Sequence, residues 1–292
     1  MNTQTMVKQY IKPQIKWTQD KIDLLIKVYP LGDKKMLAEK LGIKYKTLKS
    51  AAERFGVKSL QDKNFYKLDF LTQDTPIAYY WLGFIFADGY INPYNGELKI
   101  TLSLKDKPHL EKLANILNIN VKIRNSKIKH NNNAICAIHC ADKYNSSIIY
   151  NKLGLDINLT KTYHPPKTLT INNNNLFISF LLGLIDGDGT FSKRKNKIDF
   201  IRIELHRNYY DYLLQIKNKL NNLGFEGISV NYTKKGYVYI RICRQHNFQL
   251  LKTFAIKNNL PILERKWNLI DENSPLNHSN HKFSKIKNVE NL

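Results

Sequence analysis

The chain has little cysteine, little acid and no long apolar run. Its 292 residues include only 3 cysteines, too few for a disulfide framework, which suits a reducing compartment. No stretch reaches the roughly 18 apolar residues of a membrane span, and the polar start Met1-Asn2-Thr3-Gln4 does not resemble a secretory signal. Nor is there a basic amphipathic helix, a lipid-anchor motif or a pattern favouring organellar import. These absences lead to the expectation of a cytoplasmic protein without a membrane partner. Aspartate and glutamate number 24 against 46 lysines and arginines, a net charge of +22. Such an excess repels itself unless a polyanion takes it up, so nucleic acid is the expected partner class. Cys136 and Cys140 flank His139, but no second ligand pair accompanies them and the local pattern is that of a strand, so no metal site is expected there.

What the chain does have is a duplicated stretch. Phe180-Leu181-Leu182-Gly183-Leu184-Ile185-Asp186-Gly187-Asp188-Gly189-Thr190-Phe191 has a near-copy in Tyr80-Trp81-Leu82-Gly83-Phe84-Ile85-Phe86-Ala87-Asp88-Gly89-Tyr90-Ile91. Each reads as an apolar helix closing on Asp-Gly and running into a strand. Gly83 and Ala87, like Gly183 and Gly187, are spaced i,i+4, giving each helix a small-residue face through which two backbones can approach closely. Gly89 and Gly189 fit the left-handed residue that ends a helix. Asp88 and Asp188 then fall in the last turn, where the helix dipole disfavours negative charge. If the two helices pack through their small faces, these carboxylates meet, and a divalent cation is the natural compensation.

At these residues the sequence resembles the LAGLIDADG homing endonucleases in their single-chain, two-motif form. Leu181 to Gly189 departs from the nine-residue signature only at Leu182 and Gly187; Trp81 to Gly89 is looser, with Phe86 in place of the first acid. The resemblance implies an α+β fold of two pseudo-symmetric αββαββα repeats forming a DNA-binding saddle. It also implies a monomer that cuts a long, asymmetric double-stranded DNA target with Mg²⁺, two or more ions being held by Asp88, Asp188 and the carbonyls of Ala87 and Gly187.

Around this core the chain divides in order. Residues 1–60 give three short helices, with apolar Ile22, Leu24, Leu25 and Val28 on the first and breaks at Pro30, Gly42 and Gly56. The order of helix, glycine turn and basic helix is that of a helix-turn-helix, with Tyr45, Lys46 and Lys49 as candidate DNA contacts. It resembles small Myb-like modules often fused to phage and bacterial nucleases, which implies a bacterial or phage-infected cell. Residues 61–73 read as a polar linker, 74–166 as the first repeat, 167–262 as the second and 263–292 as a basic tail packing at most one helix through Trp267, Leu269 and Ile270.

Alternation within the strands separates an apolar underside from a polar face. In one hairpin Leu98, Ile100, Leu102 and Leu104 oppose Lys99, Thr101, Ser103 and Lys105; in the other, Ile201, Ile203 and Leu205 oppose Arg202, Glu204 and His206. Lys122, Arg124, Lys193, Arg194, Tyr237 and Tyr239 complete the candidate DNA-binding face. The resemblance also implies basic and polar groups around the aspartates that act in catalysis by orienting water and stabilising the transition state. The matching positions are Lys105 with Arg207, beside His206, and His139 with Arg241, both pairs offset by 102. Alternatives on the same fold are an RNA-binding maturase and a DNA-binding regulator without cleavage. An intein is not expected, since the chain lacks a nucleophile at its start and a His-Asn ending.

Overall fold

The computed structural model describes residues 17–30, 33–57, 66–92, 94–125, 134–156, 159–194 and 197–270. The chain separates into two compact units after Phe65.

In the first unit, α1 (Gln19–Val28), α2 (Lys34–Lys40) and α3 (Tyr45–Arg54) surround a small core of Leu25, Tyr29, Leu37, Ala38, Leu48, Ala51 and Ala52. Asp33 caps α2 by accepting from the backbone N–H groups of Lys35 and Met36, satisfying donors that a helix start leaves open. Thr18 precedes α1 without such a side-chain bond. Tyr45, Lys46 and Lys49 are exposed on α3.

The second unit contains two copies of one arrangement. The first is α4 (Pro76–Asp88), β1 (Gly89–Asn92), β2 (Glu97–Ser103), α5 (Lys107–Leu117), β3 (Lys122–Asn125), β4 (Ala134–Ala141) and α6 (Lys143–Lys152). The second is α7 (Asn174–Asp188), β5 (Gly189–Arg194), β6 (Lys197–Leu205), α8 (Tyr210–Asn222), β7 (Ile228–Tyr232), β8 (Val238–Cys243) and α9 (Gln245–Lys257). Each copy folds into a four-stranded antiparallel sheet, of order β1-β2-β4-β3 or β5-β6-β8-β7. The polar run His130-Asn131-Asn132-Asn133, which reads as a loop in the sequence, lies outside the described residues.

Alternation decides which side of each sheet is covered. Leu98, Ile100, Leu102, Cys136, Ile138 and Cys140 are buried beneath the first sheet, and Ile201, Ile203, Val238, Ile240 and Ile242 beneath the second. Cys136 and Cys140 thus point into the core while His139 points out, which explains why the three do not converge on a metal.

Two sequence expectations need correction. Strand β2 ends at Ser103, and Leu104 and Lys105 enter a 3-10 turn, 104–106; Leu104 is exposed rather than inward. The expected linker contains a 3-10 turn, Leu68–Thr72, whose Leu68 and Leu71 are fully buried in the core of the repeats. The tail forms α10 (Glu264–Trp267), the one helix expected there, and Trp267 and Ile270 belong to the same core.

Candidate active site

The two signature helices α4 and α7 pack through their small faces. A Cβ on Gly83 would overlap the Phe180 carbonyl, and one on Gly183 would overlap the Tyr80 carbonyl. Each glycine is therefore required by the other helix's backbone. One turn further on, a Cβ on Gly187 would meet the Ala87 methyl, with the Asp88 Oδ2 at 3.5 Å. Gly89 and Gly189 do not adopt the expected left-handed conformation: their φ values are −82° and −76°. What excludes a side chain there is the helix just completed, since a Cβ would press on the Ile85 or Ile185 carbonyl.

This packing sets Asp88 and Asp188 at the ends of adjoining helices. Crowding by protein and the Asp88 charge push the Asp188 carboxyl up to about 6. Asp88, which keeps more solvent access, is raised less, again by lost hydration. The cations that most oppose these shifts are Lys161 and Lys266.

Neither lysine was expected from sequence. Lys161 donates to the carbonyls of Ile85 (3.0 Å), Phe86 (2.5 Å) and Ala87 (3.2 Å). Lys266 donates to those of Ile185 (3.0 Å), Asp186 (2.7 Å), Gly187 (3.4 Å) and Gly189 (2.7 Å). The last carbonyls of a helix have no intrahelical partner and carry the negative end of its dipole, so each ammonium closes one signature helix. Burial pulls Lys161 down to about 8 against the attraction of Asp188 and Asp88, and lowers Lys266 as well. The Ala87 and Gly187 carbonyls, candidate metal ligands by sequence, are thus already shared with lysines.

The first acid of the second signature has a different surrounding. Asp186 is buried and accepts from Tyr80 Oη (2.6 Å), Leu263 N (2.8 Å) and Trp267 Nε1 (2.7 Å). At the matching position Phe86 contacts the rings of Phe180, Tyr209 and Tyr212. Tyr80 facing Asp186 and Phe180 facing Phe86 are thus the polar and apolar versions of one contact. A further clasp joins Arg265 Nε and Nη2 to Asp106 Oδ1 and Oδ2, at 2.6 and 2.8 Å.

Most of the other expected site residues lie on the outer faces; His206 and Tyr237 stand just outside β6 and β8, and Lys193 and Arg194, consecutive in β5, point to opposite sides. Lys99, Thr101, Ser103, Lys122, Arg124, Lys193, Arg194, Glu204 and Tyr237 are exposed; Arg202, His206 and Tyr239 are half-buried. His139 faces Lys99 across β2–β4 and Arg241 faces Arg202 across β6–β8. Lys105 and Arg207 are exposed in turns beyond the strands. They are not counterparts: Ile100 and Ile203 pair with Gly89 and Gly189, an offset of 103, which matches Arg207 to Leu104 and Lys105 to Asn208.

Comparison with known proteins gives two family-model matches, a LAGLIDADG-like domain over residues 177–255 and a WhiA LAGLIDADG-like domain over residues 77–146. The chain belongs to the LAGLIDADG family. The two matches together span half of it, one on each repeat. Among solved structures, it is similar to mesophilic variants of the homing endonuclease I-DmoI (19% identity, 68% of this chain and 97% of that one, TM-score 0.45). Others are the homing endonuclease I-GzeII in complex with its DNA target (15%, 68% and 88%, 0.44) and the N-terminal LAGLIDADG domain of DUF199/WhiA (16%, 66% and 83%, 0.42). No curated protein matches the sequence. Among the described residues of this LAGLIDADG chain, no helix is long and apolar enough to cross a membrane, and no three His, Cys, Asp or Glu side chains cluster as they would to hold a metal ion by protein ligands alone.

Proposed function

We propose that the chain is a monomeric, site-specific endonuclease that cuts a long asymmetric double-stranded DNA target. The observation that carries this reading is the convergence of Asp88 and Asp188 between two lysine-closed helix ends. A fold gains nothing by setting two carboxylates together where hydration is poor. Two carboxylates are a sufficient protein contribution for Mg²⁺, which keeps several waters and takes the rest of its shell from phosphate oxygens. When bound, such a cation supplies an activated water and charge neutralisation at the leaving oxygen.

The chain's own groups supply the remainder. Asp88 and Asp188 hold the cation, with Ala87 and Gly187 offering carbonyls shared with lysine. Lys161 and Lys266 are positive groups preset beside the place where phosphate charge grows. The polar sheet faces contact the major groove of two dissimilar half-sites. Lys105 and Arg207 at the strand ends, and Tyr45, Lys46 and Lys49 on α3, contact phosphates and add affinity.

A non-cleaving DNA-binding regulator is the second reading, favoured by the WhiA-type match over residues 77–146. The two aspartates argue against it, because a binder gains by losing them. Incubating the protein with a randomised duplex library and Mg²⁺, then sequencing cut ends, separates the two. Cutting at one long asymmetric site is expected, lost in Asp88→Asn and in Asp188→Asn while binding persists. Cutting that survives either change removes the site assignment; binding without any cutting by the unaltered chain establishes the regulator.

A further inference from the structure

The outer faces of the two sheets differ at matching positions. In the first, Lys99 stands opposite His139, and the His139 ring lies 3.0 Å from a Glu97 oxygen. In the second, Arg202 stands opposite Arg241. Like charges facing across a strand pair cost stability, and nothing in the fold requires them here. Arg202 is relieved by an ion pair with Glu204, whereas among the described residues no carboxylate pairs with Arg241. Its guanidinium instead lies over the Phe200 ring at 4.3 Å and near Tyr239 at 5.8 Å, while Arg202 covers Tyr239 at 4.1 Å. The Nε atoms of both arginines are shut from solvent without an acceptor, which leaves the Nη groups of Arg241 as its donors.

A guanidinium held in plane by ring stacking presents a fixed donor fork, and Arg241 carries it in the middle of the outer sheet face, opposite Arg202, rather than at the strand ends. Such a fork suits the paired acceptors O6 and N7 of guanine in the major groove. Resting on the DNA-binding reading above, we propose that Arg241 is a specificity-determining residue that reads one guanine in the half-site under the second repeat. The first repeat carries His139, held by Glu97, at the equivalent position, and Ala137 in place of Tyr239. No arginine stands at that position in the first repeat.

The test is a binding selection with the full chain, without divalent cation, from a randomised duplex library, followed by sequencing. The unaltered protein is expected to fix guanine at one position of one half-site by about ten- to a hundredfold over other bases. Arg241→Gln is expected to move that position to adenine and leave the others unchanged. Arg241→Lys keeps the charge, so the salt dependence of binding should hold while the preference at that position disappears. Neither variant is expected to lose its fold, since the side chain is half-buried on the outer face and Arg241→Gln also removes one of two facing like charges. A guanine preference that survives both substitutions, or a loss spread evenly over all positions, overturns the proposal and leaves the DNA reading standing. If the unaltered chain enriches no duplex at all, the DNA reading itself fails.

Discussion

Lys161 and Lys266 occupy the same place in the two repeats, each nine positions past the final helix of its repeat, which ends at Lys152 or Lys257. Each returns to close a signature helix through consecutive carbonyls. The pseudo-symmetry of the chain therefore extends beyond its helices and sheets to the cations beside the paired aspartates.

Replacing these lysines separates structure from chemistry. Lys266 is buried and serves four carbonyls, so Lys266→Met should cost about 2–4 kcal/mol, given about 1.5–3 kcal/mol for hydrogen bonds to charged groups. Lys161 is half-buried, and Lys161→Met should cost less. In the nuclease reading, Lys161→Met should also slow cleavage by about 10²-fold without weakening DNA binding in proportion. Chemical melts and single-turnover cutting measure the two effects. Equal, small losses in both would leave Lys161 a helix cap only.

The same centre predicts how stability follows pH. The Asp188 carboxyl rises to about 6 on folding, so between its ordinary value and 6 the folded chain holds more protons than the unfolded one, and stability falls as pH rises through that window. Lys161 is drawn down to about 8; between 8 and its ordinary value the unfolded chain holds more protons, and stability rises with pH. The two groups together are least favourable to folding between about 6 and 8. Ca²⁺, bound without cutting, should raise Tm by a few degrees at pH 7.5, since about 1 kcal/mol moves Tm by about 2–4 °C in chains near this size. The rise should shrink at pH 5, where Asp188 is protonated, and vanish in Asp188→Asn. A rise of equal size in that variant would place the cation elsewhere.

What the sequence disclosed and what it hid follow from the range of the interactions. The i,i+4 small residues and the two-residue alternation of the strands are local patterns, so the signature helices, their contact through Gly83 and Gly183, and the buried and exposed faces of both sheets could all be read directly. Lys161 and Lys266 lie in segments without periodicity, and only folding brings them to helices about 75–80 residues earlier. Asp186 belongs to the motif, yet its partners Leu263 and Trp267 lie in what composition presents as a tail. The misaligned pair Lys105 and Arg207 has a simpler cause. The second repeat has one residue fewer between β6 and β8 (Ile203 to its partner Ile240) than the first has between β2 and β4 (Ile100 to its partner Ile138), so an offset valid for β4 and β8 does not hold for β2 and β6.

The junction of Ala87 and Gly187 gives a test of geometry alone. Gly187→Ala places two methyl groups in one space, and overpacking of this kind costs about 1–3 kcal/mol. The strain falls at the aspartate end of the helix pair, so the loss of metal-dependent cleavage should exceed what the change in Tm implies. Exchanging the two residues, Ala87→Gly with Gly187→Ala, returns one methyl group to the contact and should recover most of the stability. Thermal melts of both single variants and the double variant form the cycle, and strict additivity would show that the two positions do not touch.

Asp186 should prove structural, and the contrast with Asp188 is the strongest check on which carboxylate does what. It accepts from three buried donors supplied by Tyr80, Leu263 and Trp267. Asp186→Leu strands those donors and should cost about 3–5 kcal/mol, the range for breaking a buried charged network. Asp186→Asn keeps one acceptor oxygen and should cost less, with Mg²⁺-dependent cutting retained at temperatures where the variant is folded. Trp267→Ala removes one of the same donors together with a fully buried ring, so its effect should combine non-additively with Asp186→Asn in denaturant melts. If Asp186→Asn instead abolished cutting in a chain that melts normally, the first acid of the motif would belong to the chemistry, and the assignment of Asp88 and Asp188 as the paired centre would have to be widened.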